Sequence, residues 1–189
     1  MDTEWIANEI NAAADGMHRL ADCAPRIREI ADACTAALRS GGKIMFCGNG
    51  GSAADSQHLA AELIGRYKME RPAMRAVALT TDTSILTAVG NDYGYDDVFR
   101  RQVEGLAEAG DVLIGLSTSG NSRNVLRAFQ QAKALGATTV ALTGASGGAM
   151  RDAADLTLAV PATATNHIQE LHITCGHLIC ELVEHDLHG

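Results

Sequence analysis

His58 and Glu62 stand four residues apart in GNGGSAADSQHLAAEL, the stretch from Gly48 to Leu63. On an α-helix this spacing puts both side chains on one face, a turn apart. An imidazole and a carboxylate placed this way can share one metal ion or one substrate. Taken alone, the pair reads more simply as a solvated polar face. A second group lies near the C-terminus: His167, Gln169, Glu170, His172, His177, His185 and His188. Ile168, Leu171, Leu178 and Ile179 among them mark an apolar face, and the final two histidines fall where a helix frays.

Two Gly/Ser loops offer a different chemistry. Gly48-Asn49-Gly50-Gly51-Ser52 follows the apolar run KIMFC, and Ser117-Thr118-Ser119-Gly120-Asn121-Ser122 follows DVLIGL. Glycines let backbone N–H groups come close to a ligand. Hydroxyls add hydrogen bonds, and the helix start that follows adds positive potential. Such loops suit a phosphate or a sugar phosphate. The plainer reading makes Ser52 and Ser122 helix N-caps, but two such loops at strand ends of one sheet favour a ligand. A third loop, TGASGG at 143–148, reads as a turn. Gly48, Gly50 and Ala53 also match the dinucleotide pattern G-x-G-x-x-A. That match is weak, because the ribose-binding acid belongs at the end of the second strand, about 20 residues on. RAVAL instead runs into Thr80-Thr81-Asp82, about ten residues too late for that role. No G-K-[ST] follows the glycines, so a nucleotide P-loop is excluded.

The elements that must position these groups alternate along the chain. KIMFC (43–47), RAVAL (75–79), DVLIGL (111–116), TTVAL (138–142) and DLTLAV (155–160) are short apolar runs followed by turn residues. Helical patterns cover 52–66, 83–90, 95–108, 122–135 and 166–187. Uninterrupted apolar strands alternating with helices predict a doubly wound α/β domain, with a five-stranded parallel sheet covered on both faces. Ligands in such sheets bind beyond the C-terminal strand ends, where both loops fall. Residues 3–21 and 25–39 read as two amphipathic helices, with Pro25 tolerated in the first turn of the second and SGG at 40–42 ending it. The sheet needs little beyond 43–160. Residues 1–40 are therefore free to pack elsewhere, on another subunit, and 166–187 forms a C-terminal helix.

Composition narrows the function classes. A chain of 189 residues suits a single domain, and 47% hydrophobic with 20% charged residues is ordinary for a globular one. Aromatics at 4% argue against a base-stacking nucleic-acid binder. A net charge of −8 without a long basic run disfavours a DNA backbone or an anionic membrane as partner. No apolar run approaches the roughly 20 residues of a membrane span. The first residues, MDTEWIANEINAAADG, are acidic and amphipathic, unlike a signal peptide. Five cysteines without CxxC spacing point to reduced thiols in a cytoplasmic protein, packed as small apolar residues.

GNGGSAADSQHLAAEL, AVGNDYGYDDVF, GDVLIGLSTSGNS and IQELHITCGHLI together resemble the phosphoheptose isomerase family. This is the sedoheptulose 7-phosphate isomerase branch of the sugar isomerase (SIS) fold. The resemblance covers essentially the whole chain. The first and third stretches also occur in other members of the fold. Their combination with His58, Glu62, Gln169 and His177 is more specific. The resemblance implies a flavodoxin-like sheet and a homotetramer with active sites at subunit interfaces. It also implies one Zn²⁺ per subunit and interconversion of sedoheptulose 7-phosphate with D-glycero-D-manno-heptose 7-phosphate, which begins heptose biosynthesis for surface polysaccharide. By position, His58, Glu62, Gln169 and His177 match the metal ligands, and Glu62 with His177 matches the acid–base pair. Asn49, Gly50, Gly51, Ser52, Asn91, Asp92, Ser117, Thr118, Ser119 and Ser122 match substrate contacts, together with Glu62 and Gln169.

The implied chemistry suits these residue types. A carboxylate can move a carbon-bound proton, an imidazole can serve the oxygens, and His and carboxylate are ordinary zinc ligands. A Gln oxygen is a weaker one. Gln169 and His177 are eight residues apart, roughly 12 Å between Cα atoms on a straight helix. Either a metal sits between them at full reach or they serve different subunits' sites. Arg66 suits either a phosphate contact or a cap on its own helix, and Asn166 receives no role. Two rival readings are non-enzymatic. A relative that associates with the DnaA initiator keeps the fold but lacks the glutamate and the last-helix histidine. This chain has both, as Glu62 and His177. Sugar-phosphate sensors usually carry a DNA-binding module, which the first 40 residues do not supply.

Overall fold

The computed structural model describes residues 1–189. Two helices lead, α1 (Thr3–Leu20) and α2 (Ala24–Arg39). The Asp2 carboxylate caps α1 by accepting the Trp5 N–H, and Pro25 occupies the first turn of α2, where its missing N–H has no partner to lose. The chain then alternates through β1 (Ile44–Gly48), α3 (Gly51–Ile64), β2 (Ala76–Ala78), α4 (Thr83–Asp92), α5 (Arg100–Leu106) and β3 (Val112–Ser117). It continues with α6 (Arg123–Ala134), β4 (Thr138–Thr143), α7 (Met150–Ala153), β5 (Leu156–Ala159) and α8 (Thr165–His188).

All five strands are parallel, in the order β2-β1-β3-β4-β5. The order reverses between β1 and β3, which makes the crevice beyond those two strands the expected ligand position. Alternate residues feed opposite cores, as the two-residue period of a strand requires. Ile44, Phe46, Ile114, Leu116, Val140 and Leu142 pack with residues of α2, α3 and α8. Met45, Cys47, Leu113 and Ala141 join Val103, Val125 and Phe129 on the other face. The runs that form β1, β3 and β4 are therefore buried on both sides, as they predict, whereas those of the edge strands β2 and β5 are only partly buried.

Departures from the expected boundaries have local causes. The second strand is only three residues long, at the sheet edge. The 95–108 helix is split: Tyr95–Asp97 is a 3₁₀ turn and α5 starts at Arg100. Asp97, buried, bonds to both Arg100 and Arg127 there and pins the break. The TGASGG turn leads directly into the short α7, because Gly147 and Gly148 take positive φ and seat the turn against Gly120. A Cβ on Gly120 would lie 2.0 Å from the Gly147 carbonyl oxygen. No helix is long and apolar enough to cross a membrane. The five cysteines form no disulfide, and burial pushes the Cys34 and Cys47 thiols up to about 12.

Helices α3 and α8 lie side by side and run the same way. A Cβ on Gly51 would meet the Gln169 amide at 2.7 Å, and one on Gly176 would meet Leu59 at 2.5 Å. Glycine at these two levels lets the helices touch, and their seam carries the candidate site.

Candidate active site

The first loop leaves β1 and turns through Gly50, whose φ of 57° with ψ of −123° suits only glycine. Gly50 caps α3 with no side-chain hydrogen bond. Ser52 lies inside the helix, buried, so it is not an N-cap. Ser122 does hold the N-cap position of α6, but its hydroxyl makes no capping bond. That hydroxyl lies 2.8 Å from the Ser117 hydroxyl, which lies 3.4 Å from that of Ser119. The second loop is thus a cluster of hydroxyls at a helix start, not a conventional cap. Thr118 and Ser119 line an open groove with Gly144, Ala145, Thr165 and Ile168. The TGASGG turn therefore forms one wall beside the second loop.

Asn124 ties the loops together. Its amide donates to Asn49 Oδ1 at 2.8 Å and accepts from Asn49 Nδ2 at 3.0 Å, and the Tyr95 hydroxyl donates to Asn49 Oδ1 at 3.3 Å. Sequence reasoning missed Asn124. Its only signal is its position in the first turn after the Ser/Gly loop. Asn91 and Asp92 end α4, exposed, with a 2.8 Å bond from the Asn91 amide to the Asp92 carboxylate. They make no hydrogen bond to either loop. Arg66 is exposed and paired with Glu70 at 3.7 Å. Asn166 lies in the first turn of α8, its amide 3.4 Å from His167 Nδ1.

Further along the seam, two turns from Gly51, the side chains of His58, Glu62 and His177 converge. His58 Nε2 lies 2.8 Å from His177 Nε2 and 3.1 Å from Glu62 Oε1. One ligand atom from each of the three falls within 4.8 Å of the others. Two imidazole nitrogens and a carboxylate oxygen facing one point are a donor set that could hold a metal ion. Glu62 is the more enclosed, its side chain 20% exposed against 47% for His58. Asp55, a turn before His58, buries one carboxylate oxygen without a partner, and burial pushes its carboxyl up, with His58 opposing. Gln169 stands at the other end of the seam, its amide against Gly51. One chain therefore assembles His58, Glu62 and His177 and sets Gln169 beside the first loop.

Tyr67, also missed from sequence, stacks on His177 with ring centroids 5.5 Å apart and planes 21° from parallel. No spacing rule points to it, since it lies in the irregular segment after α3.

A model of the SIS domain matches residues 9–144. A phosphoheptose isomerase of Akkermansia muciniphila is 61% identical over 187 residues, covering 99% of each chain. This chain belongs to the phosphoheptose isomerase family. Among solved structures, a phosphoheptose isomerase from Neisseria gonorrhoeae is 42% identical with a TM-score of 0.92, covering 97% of this chain and 98% of that one. One from Francisella tularensis is 36% identical with a TM-score of 0.94, covering 98% and 100%. Family membership bears on the whole length, including α1, α2 and α8, and so on both halves of the site.

Proposed function

We infer that this protein is a ketose–aldose isomerase that interconverts sedoheptulose 7-phosphate and D-glycero-D-manno-heptose 7-phosphate. The observation that carries the reading is the convergence of His58, Glu62 and His177, in a chain of this family, at the helix that the first Gly/Ser loop opens. The hydroxyls of Ser117, Thr118, Ser119 and Ser122 hold the phosphate. The first loop, through Asn49, Gly50, Gly51 and Ser52, together with Asn91 and Asp92, holds the sugar hydroxyls. Binding the unreactive end orients the reacting end.

Glu62 takes the proton from C1 of the ketose and returns it to C2, through an enediol. Its Oε1 faces His58 at 3.1 Å, which leaves Oε2 for the substrate carbon. His177 carries the accompanying proton between the C1 and C2 oxygens. His58, Glu62 and His177 would hold one Zn²⁺ per subunit, and their three facing donors fit that ion; Gln169, set at the other end of the seam, would complete such a ligand set from a neighbouring subunit. When bound, zinc supplies Lewis-acid polarisation of the carbonyl. Gln169, set against Gly51, also touches the substrate near the first loop. We take the working form to be a cytoplasmic homotetramer with sites at its interfaces, opening heptose synthesis for surface polysaccharide. The exposed Trp5, Ile6 and Ile10 of α1 support an assembled form. The DnaA-associating reading is not favoured, since both Glu62 and His177 are present.

The test is turnover of sedoheptulose 7-phosphate before and after chelation, with zinc added back. Loss and restoration support the reaction and the metal together. A folded, zinc-loaded protein without turnover overturns the reading.

A further inference from the structure

Glu184 of α8 is 1% exposed and charged, a costly arrangement unless every lone pair is used. Its carboxylate accepts the backbone N–H groups of Tyr67, Lys68 and Met69 at 3.1, 2.8 and 2.9 Å, and Arg71 Nε at 3.0 Å. Burial pushes the Glu184 carboxyl up, but these donors outweigh it and hold the group below its ordinary range. Arg71, equally enclosed, spends its remaining donors on the carbonyls of Glu62 and Leu63 at 2.8 Å, Pro72 at 3.0 Å and Gly65 at 3.2 Å. The last carbonyls of a helix lack partners within it. Arg71 supplies them for α3, including the carbonyl of Glu62 itself.

A loop can be closed with far less. The segment from Gly65 to Arg71 is held by these eight hydrogen bonds, and from it the Tyr67 ring lies on His177. An imidazole on a helix face turns freely about two bonds. The stack, an offset aromatic geometry, removes that freedom and fixes the plane in which Nε2 points at His58.

We propose that Tyr67 is a positioning residue that fixes the His177 imidazole for proton transfer, with the Arg71–Glu184 pair as its anchor. The inference rests on the isomerase reading of His177. Small misplacements of a reacting group cost rate more than binding, up to about 10²-fold for 1 Å.

The experiment compares Tyr67→Leu, Tyr67→Phe and Glu184→Gln in the full-length protein. Two readouts are used: kcat and KM for sedoheptulose 7-phosphate, and the His177 ring-proton signals by NMR in chelator-treated protein. Tyr67→Leu is expected to lower kcat by at least about tenfold with KM little changed, and to move the His177 signals as the ring current is lost. Tyr67→Phe keeps the ring, and should restore both. Glu184→Gln should move the same signals in the same direction. If it does not fold, the Tyr67 series decides alone. Unmoved His177 signals in Tyr67→Leu overturn the proposal, as does a rise in KM with kcat intact. Absence of turnover in the wild type sinks the isomerase reading instead, and the NMR comparison then judges the positioning by itself.

Discussion

His58 Nε2 and His177 Nε2 face each other at 2.8 Å although 119 residues separate them in the chain. Sequence spacing marks His58 only through Glu62, one helical turn on, and nothing near it in sequence points to His177. Their meeting depends on Gly176, which lets Leu59 and hence the middle of α3 approach α8. The pair therefore measures how closely the two helices are docked. His58→Ala and His177→Ala should each lower the zinc bound per chain well below that of the wild type, with helical content unchanged. Atomic absorption on dialysed protein, alongside circular dichroism, checks this. Full zinc in both variants would remove the metal role from this seam.

Glu62→Gln keeps size and hydrogen bonding and removes the basic oxygen. We expect kcat to fall by about 10²–10⁴-fold, the range for loss of a general base. Its fold should persist, since the buried anchor of this helix end is the Glu62 carbonyl, held by Arg71, and not its side chain. Steady-state kinetics with a thermal melt separates the two effects. Undiminished turnover in Glu62→Gln would defeat its assignment as base.

Gly51→Ala tests the other end of the seam. The new Cβ would fall 2.7–2.8 Å from the Gln169 amide atoms, the movable end of that side chain. The helix should therefore survive while Gln169 turns away from the first loop. Expected outcomes are a melting temperature close to wild type and a raised KM. Gln169→Ala should raise KM similarly, and the double variant should add little. A strictly additive double variant would show that Gln169 and Gly51 act independently.

Gly115 shows a purely structural constraint. It lies in the middle of β3, and an added Cβ would come within 2.5 Å of Val125 and 2.7 Å of Phe129. Both are fully buried side chains that cannot swing into solvent. Gly115→Ala should destabilise by about 1–3 kcal/mol, as overpacking does. Urea unfolding monitored by circular dichroism provides the measurement.

The fold was legible because its signals are local. KIMFC, DVLIGL and TTVAL are apolar without alternation, which only a two-sided sheet explains, and each is followed by turn-forming residues. The pairing of His58 with Glu62 was legible for the same reason, being one helical turn. Four features were not. Asn124 and Tyr67 act through contacts made by folding, across 75 residues for Asn49–Asn124 and by a ring stack for Tyr67–His177. The Arg71–Glu184 pair spans 113 residues, and in sequence its members look like any two surface charges. The placement of Gln169 likewise depends on α8 docking along α3 and on the room that the glycine at position 51 leaves for its amide, which no periodicity reveals.

His172 is the one fully buried histidine, with neither ring nitrogen at hydrogen-bond distance from a partner. Burial pushes its imidazole down from 6.5 to about 4, and the nearby Thr143 backbone offsets this only slightly. The folded value is depressed, so the unfolded chain binds the proton first. Stability is then fully present above the unfolded value near 6.5 and is lost as pH falls toward 4. The difference corresponds to about 3 kcal/mol across that window. His167 acts with the opposite sign. Glu170 holds its imidazole above the ordinary range, so its contribution is present at low pH and disappears as pH rises above the unfolded value. The buried carboxylates of Asp111 and Glu184, both held low, contribute their own loss only in more acid solution. Urea midpoints measured from pH 7 to 4.5 should therefore decline in the wild type and decline much less in His172→Leu. Parallel curves for the two proteins would show that His172 does not set this acid sensitivity.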